Sequence, residues 1–110
     1  MNKILYVPET IHLLIQIQAK KEFLQKVLLS LYETIAPTHR EEGCLEYKLF
    51  SQETSIIIQG KWSSKMALDM HLLLQFHLRL FEEVLPDLCE SISVEMFQEI
   101  EPPITSLSIS

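Results

Sequence analysis

The chain has 110 residues, enough for one domain and too few for two. Nine Lys and Arg against fifteen Asp and Glu leave a formal net charge of −6, which argues against a nucleic-acid or anionic-membrane surface. A 47% hydrophobic fraction with only two glycines excludes disorder and low complexity and predicts a packed core.

Residues 1–9 are expected to form an N-terminal extension. Its apolar Ile4-Leu5-Tyr6-Val7 run ends at Pro8, too short for a signal-peptide core or a membrane span. From Ile11 to Gln18 the period is two: Ile11, Leu13, Ile15 and Ile17 alternate with His12, Leu14, Gln16 and Gln18, which predicts a strand. Lys20 to Ile35 switches to helical spacing. Phe23, Val27, Leu31 and Ile35 form one apolar stripe flanked by Leu24 and Leu28, and Pro37 is expected to stop the helix. After a polar turn at Arg40 to Gly43, Cys44 to Phe50 alternates Leu45, Tyr47 and Leu49 against Glu46 and Lys48. A turn at Gln52-Glu53-Thr54 then leads into Ser55 to Trp62, whose Ile56-Ile57-Ile58 centre reads as apolar on both faces.

Ser63 or Ser64 is a suitable N-cap for a helix from about Lys65 to Val84, with Ala67, Met70, Leu74, Leu78, Phe81 and Leu85 at helical spacings and Pro86 at its end. Ser91 to Ile100 alternates again, with Ile92, Val94, Met96 and Ile100 on one side, and Pro102-Pro103 opens a C-terminal tail over 102–110. The order β-α-β-β-α-β predicts an α+β, ferredoxin-like domain over 10–101: a four-stranded antiparallel sheet with two helices on one face. Apolar residues on the uncovered sheet face predict a homodimer, since a bare apolar sheet is a surface that soluble monomers avoid.

Cys44 and Cys89 lack the spacing of a redox or zinc motif and are expected to be free thiols of a cytoplasmic protein. His71 and His77 are six residues apart, about 120° around a continuous helix, so no helical metal pair is expected.

Two segments carry a family resemblance. Arg40 to Tyr47, REEGCLEY, resembles the turn-and-strand signature of the antibiotic biosynthesis monooxygenase (ABM) family. From Trp62, WSSKMALDMHL resembles that family's tryptophan-to-histidine passage, in the same order and at a fitting separation. The resemblance implies a dimeric α+β barrel with a small-molecule site between sheet and helices, and a small cofactor-independent enzyme, a monooxygenase or isomerase, acting on an electron-rich molecule such as a quinol or phenol. It implies no cofactor and no metal.

Such chemistry needs a base, a dry chamber and donors for developing charge. His71 is the candidate catalytic base, against a structural histidine satisfied by a carbonyl. Trp62, Tyr47 and Phe76 are candidate substrate-binding residues, against core packing for the first two. Arg40 reads as an ion-pairing turn residue and Cys44 as a packed thiol. Where many relatives carry a glutamate two residues before the tryptophan, this chain has Gly60, and where others carry Pro-His-Phe it has Gln75-Phe76-His77. Haem-degrading relatives need an asparagine and a histidine where this chain has approximately Leu13 and Phe81, so haem is not expected. The alternative reading is a non-catalytic ligand-binding or stress-associated dimer that keeps the fold.

Overall fold

The computed structural model describes residues 6–100. The expected C-terminal tail and the first five residues of the N-terminal extension lie outside them. Strand β1 (Tyr6–Ala19) leads through a short 3-10 turn to helix α1 (Leu24–His39). The hairpin β2 (Cys44–Gln52) and β3 (Ser55–Trp62) follows, then α2 (Lys65–Leu72), α3 (Gln75–Leu78), a π-helical turn (Arg79–Val84), α4 (Leu85–Leu88) and β4 (Cys89–Ile100). The sheet is antiparallel with order β2-β3-β1-β4, the split βαβ arrangement that the element order predicts.

The period-two reading of β1 decides the layers. Leu13, Ile15 and Ile17 are buried against the helices, in register with Gly60, Ile58 and Ile56 of β3. Val27 and Leu31 of α1 close the core from the other side, joined by Leu68, Leu80, Leu85 and Leu88. Beyond Leu31 the buried line of α1 runs through Thr34 and Thr38 rather than Ile35. Pro37 does not stop the helix but sits in its last turn, where its missing N–H forgoes one bond, to the carbonyl of exposed Glu33, which water can reach.

Three further expectations are corrected. Strand β3 is not apolar on both sides: Ile57 alone takes the open face, between Ser55 and Gln59. That face carries Leu14, Phe50, Ile57 and Phe97 among Gln16, Lys48, Gln59 and Glu95, which is mixed rather than apolar. Leu45 is exposed, because a register shift between Cys44 and Glu46 takes it out of the alternation that buries Tyr47. Val94 and Met96 are about half exposed although they pair with Ile15 and Leu13, since β4 is the sheet edge beyond the helices.

The second helix is the largest departure. It breaks after Leu72: Leu74 is extended (φ −63°, ψ 141°), and the chain resumes as three short helical pieces. Pro86 lies in the first turn of α4 instead of ending a helix, as its fixed φ allows. The buried positions become Leu68, His71, His77, Leu80 and Leu85, while Met70 is exposed. Ser64 is the N-cap, its Oγ accepting from the Ala67 amide at 3.1 Å.

Candidate active site

Gly43 organises the site. Its φ of +86° is a backbone conformation that side chains disfavour, and a Cβ there would lie 2.6 Å from Ala67 Cβ and 2.9 Å from Ser63 Oγ. With its carbonyl accepting from the Ser63 amide at 2.8 Å, the turn before β2 is pressed onto the start of α2. The two segments that stood out in the sequence are therefore one unit in space. Cys44 pairs with Trp62 across the hairpin, and Glu41, at the head of the turn, reaches the far end of α2.

There Glu41 meets His71. The imidazole donates or accepts at Nδ1, 2.7 Å from Oε1 and 2.9 Å from Oε2 of the carboxyl. His71 is 1% exposed and its other nitrogen, Nε2, is buried with no partner in the protein. Trp62 lies 4.7 Å from it ring to ring, Tyr47 6.0 Å, Phe76 6.2 Å and His77 4.8 Å. The four residues singled out from the sequence, His71, Trp62, Tyr47 and Phe76, are thus brought together. His71 itself sits inside the core rather than on an open surface.

Burial sets the electrostatics. It pushes the Glu41 carboxyl up to about 7 and the His71 imidazole down to about 4, so both groups resist charge. Two protonation arrangements follow. With the shared proton on Glu41, Nδ1 accepts and Nε2 carries the hydrogen. Once that proton leaves the pair, the carboxylate accepts from Nδ1–H and Nε2 is a bare lone pair, fixed in direction by Glu41. The second state is a general base with an orienting carboxylate behind it.

His77 overturns the argument from spacing. The break at Leu73-Leu74 turns α3 so that His77 faces His71, and both of its nitrogens are buried without protein partners. It stacks on Phe81 at 4.4 Å, and burial, then the neighbouring His71, lower its pKa to about 4. Among the described residues no three His, Cys, Asp or Glu side chains are grouped as a metal site requires.

Trp62 owes its position to Gly60. A Cβ on residue 60 would lie 2.3 Å from the indole, so the ring lies over that glycine, in the space a side chain at position 60 would need. Its Nε1–H is buried and unpartnered. Tyr47 is held by Thr34, whose Oγ1 is 3.4 Å from the phenol oxygen, and its ring meets Trp62 edge-on at 6.1 Å. Arg40 is exposed and makes no ion pair among the described residues, against the sequence reading. Both cysteines are free. Burial, then the nearby Glu41, raises the Cys44 pKa, so this thiol is not activated.

Glu41 is the residue that sequence reasoning passed over. Its signal was present, a glutamate two before the Gly-Cys pair, but Glu42 beside it is equally acidic and is exposed.

Two clefts adjoin this cluster. One of about 390 Å³ separates α1 from the π-helical turn and includes Phe76 and Thr34 in its wall. The other, about 530 Å³, lies between α1 and β2 and includes Tyr47. Neither is lined by His71 or Trp62.

Comparison with known proteins bears on the fold and the family. The family model for antibiotic biosynthesis monooxygenase matches residues 10–85. Protein SO0527 from Shewanella oneidensis superposes with a TM-score of 0.86 at 22% identity, over 91% of this chain and 100% of its own. An antibiotic biosynthesis monooxygenase structure gives 0.73 at 22% identity, over 84% and 99%. SnoaB, a cofactor-independent oxygenase from Streptomyces nogalater, gives 0.70 at 13% identity, over 81% and 91%. No curated protein matches significantly. At these identities the structures speak for the fold, and the match across most of the chain settles the family. The chain belongs to the antibiotic biosynthesis monooxygenase (ABM) family.

Proposed function

We propose that this protein is a cofactor-independent monooxygenase of a phenol or quinol, with Glu41 and His71 as its acid–base dyad. The observation that carries the reading is the buried, unpartnered Nε2 of His71, on a ring oriented from behind by Glu41 and walled by Trp62, Tyr47 and Phe76.

His71 Nε2 takes the hydroxyl proton of the substrate. The resulting anion is electron-rich enough to pass one electron to dioxygen, and the radical pair recombines as a ring-carbon hydroperoxide. Loss of water from that adduct leaves a new carbonyl. A quinol and O2 thereby give a hydroxyquinone and water, with the substrate supplying every electron. Trp62 Nε1–H is an unpartnered donor suited to the developing negative oxygen, and exclusion of water strengthens both interactions.

The test is oxygen consumption over a panel of hydroquinones, with and without protein. His71→Gln keeps a hydrogen-bonding group toward Glu41 and removes the base. It should reduce turnover roughly 10²–10⁴-fold, the usual contribution of general base catalysis. Protein-independent oxygen uptake across the panel would leave ligand binding without chemistry as the better reading. That reading draws support from the closure of the dyad, since His71 is 1% exposed.

The working unit we propose is a homodimer joined through the open sheet face, where Leu14, Phe50, Ile57 and Phe97 provide scattered apolar contacts. Light scattering at micromolar concentration should return twice the chain mass. A single-chain mass would rule the dimer out.

A further inference from the structure

His77 is the buried titratable group that the acid–base chemistry of Glu41 and His71 leaves unused. Its ring lies 4.8 Å from that of His71 and is inclined to it by 65°. The two imidazoles are neighbours but not partners. His71 Nε2 and both nitrogens of His77 are buried, and none of the three completes a hydrogen bond within the protein. Each such atom gives up its bonds to water on folding, so three together are a cost that a bound molecule relieves.

The hydrogens in place decide which molecule that is. With Glu41 ionised, its carboxylate holds the His71 hydrogen on Nδ1 and leaves Nε2 a lone pair. On His77 the Leu72 carbonyl, at the end of α2, draws the ring hydrogen toward itself without closing a hydrogen bond. The other nitrogen is then a lone pair as well, and two acceptors stand side by side. Trp62 Nε1–H, unpartnered on a ring 4.7 Å from His71, supplies one donor. The rest of the surroundings are apolar: Phe76 stands beside His71, and Phe81 stacks on His77 at 4.4 Å.

Neighbouring acceptors call for neighbouring donors. The two O–H groups of an ortho-dihydroxyarene sit on adjacent carbons, so each can donate to one imidazole while an oxygen accepts from Trp62. A para isomer points its hydroxyls in opposite directions and reaches one imidazole at a time. We propose that His77 sets specificity, forming with His71 a two-acceptor site for the vicinal hydroxyls of an ortho-dihydroxyarene. The proposal rests on the oxygenase reading for the fate of the ligand, and on the histidine pair alone for binding. Helix α3, four residues long and set off by the break at Leu74, is the element that moves to admit the ring.

The probe is catechol, titrated calorimetrically into the full chain without oxygen at about pH 8, where Glu41 is ionised. Hydroquinone, resorcinol and guaiacol are the comparisons. Guaiacol keeps the ortho oxygens and lacks one hydroxyl hydrogen. Catechol should bind at least tenfold more tightly than each of them. His77→Phe keeps a ring to stack on Phe81 and removes the acceptor, and it should bring the catechol and guaiacol affinities to within about twofold of each other. His77→Leu takes its place if that variant does not fold.

Undetectable catechol binding, comparable affinities in the wild type, or a catechol preference that survives in a folded His77 variant would overturn the proposal. Oxygen uptake separates it from the oxygenase reading. Preferential catechol binding with no uptake from any of the four compounds upholds the histidine pair and removes the oxygenase. Uptake with catechol and hydroquinone at equal KM upholds the oxygenase and removes the two-acceptor site.

Discussion

Trp62→Ala is expected to cost about 3–5 kcal/mol of stability, the range for truncating a large aromatic in a core. The indole is fully buried, lies over Gly60 and meets both Tyr47 and His71 through its ring. In a domain whose whole margin is roughly 5–15 kcal/mol, that loss removes a large part of it. At this chain length it corresponds to a fall in melting temperature of about 13–22 °C. Trp62→Phe keeps a ring over Gly60 and loses the Nε1–H donor, so it should retain most of the stability while slowing turnover. A Trp62→Ala protein that melts within a few degrees of wild type would show that the indole is not a core element. Then the geometry described around it would be wrong.

Glu41→Gln should slow quinol turnover by at least ~10²-fold and change the shape of the pH profile. In the wild type, activity should rise with pH through about 7, because only loss of the proton shared with Glu41 leaves Nε2 of His71 bare. A neutral amide cannot ionise, so that rise should vanish in the variant. The remaining ionisation belongs to His71 and lies near 4, pushed down by burial. Melting curves supply an independent check of sign. The fold raises the Glu41 pKa from 4.5 to about 7, so stability contributed by the protonated carboxyl is complete below about 4.5. It is lost as pH rises toward 7. His71 and His77, lowered from 6.5 to about 4, contribute in the opposite direction over a lower window. Comparing Glu41→Gln with wild type isolates the carboxyl. An ionisation near 7 that persists in the variant's rate profile would assign it to another group.

What the sequence made legible was whatever repeats. Alternation in Ile11 to Ile17 fixed both the strand and its buried face, because the two sides of a strand differ at every residue. The same reading failed at Leu45, where one irregular pairing slips the alternation and no residue type announces it. The second helix failed for a related reason. Leu72-Leu73-Leu74 fits a continuous apolar stripe, and neither glycine nor proline marks the break that tertiary packing imposes there. That break brings His77 to His71, so a site argument based on helical angle could not find the contact. Among the site residues, Trp62, Tyr47 and His71 were found from their chemistry and from the resemblance. Glu41 is recognisable only in the folded chain, because its partner is thirty positions away and the turn at Gly43 decides which of two adjacent glutamates points inward.

The interrupted second helix also bears on how tightly any ligand can be held. Between Leu74 and Cys89 the chain is a four-residue helix, a six-residue π turn and another four-residue helix. Each is too short to be stable alone, whereas β1, paired with a strand on either side, is tied into the sheet along most of its length. Fluctuation that exposes His71 should therefore begin in this segment, as a local event far less costly than global unfolding. A ligand that reaches the dyad only through such an open form binds with its intrinsic affinity multiplied by the open fraction. Every 1.4 kcal/mol of opening free energy weakens apparent binding tenfold. Substitutions in residues 75–88 that leave each contact to the ligand intact can thus tighten or weaken its capture. Amide hydrogen exchange in that stretch measures the free energy through which they act.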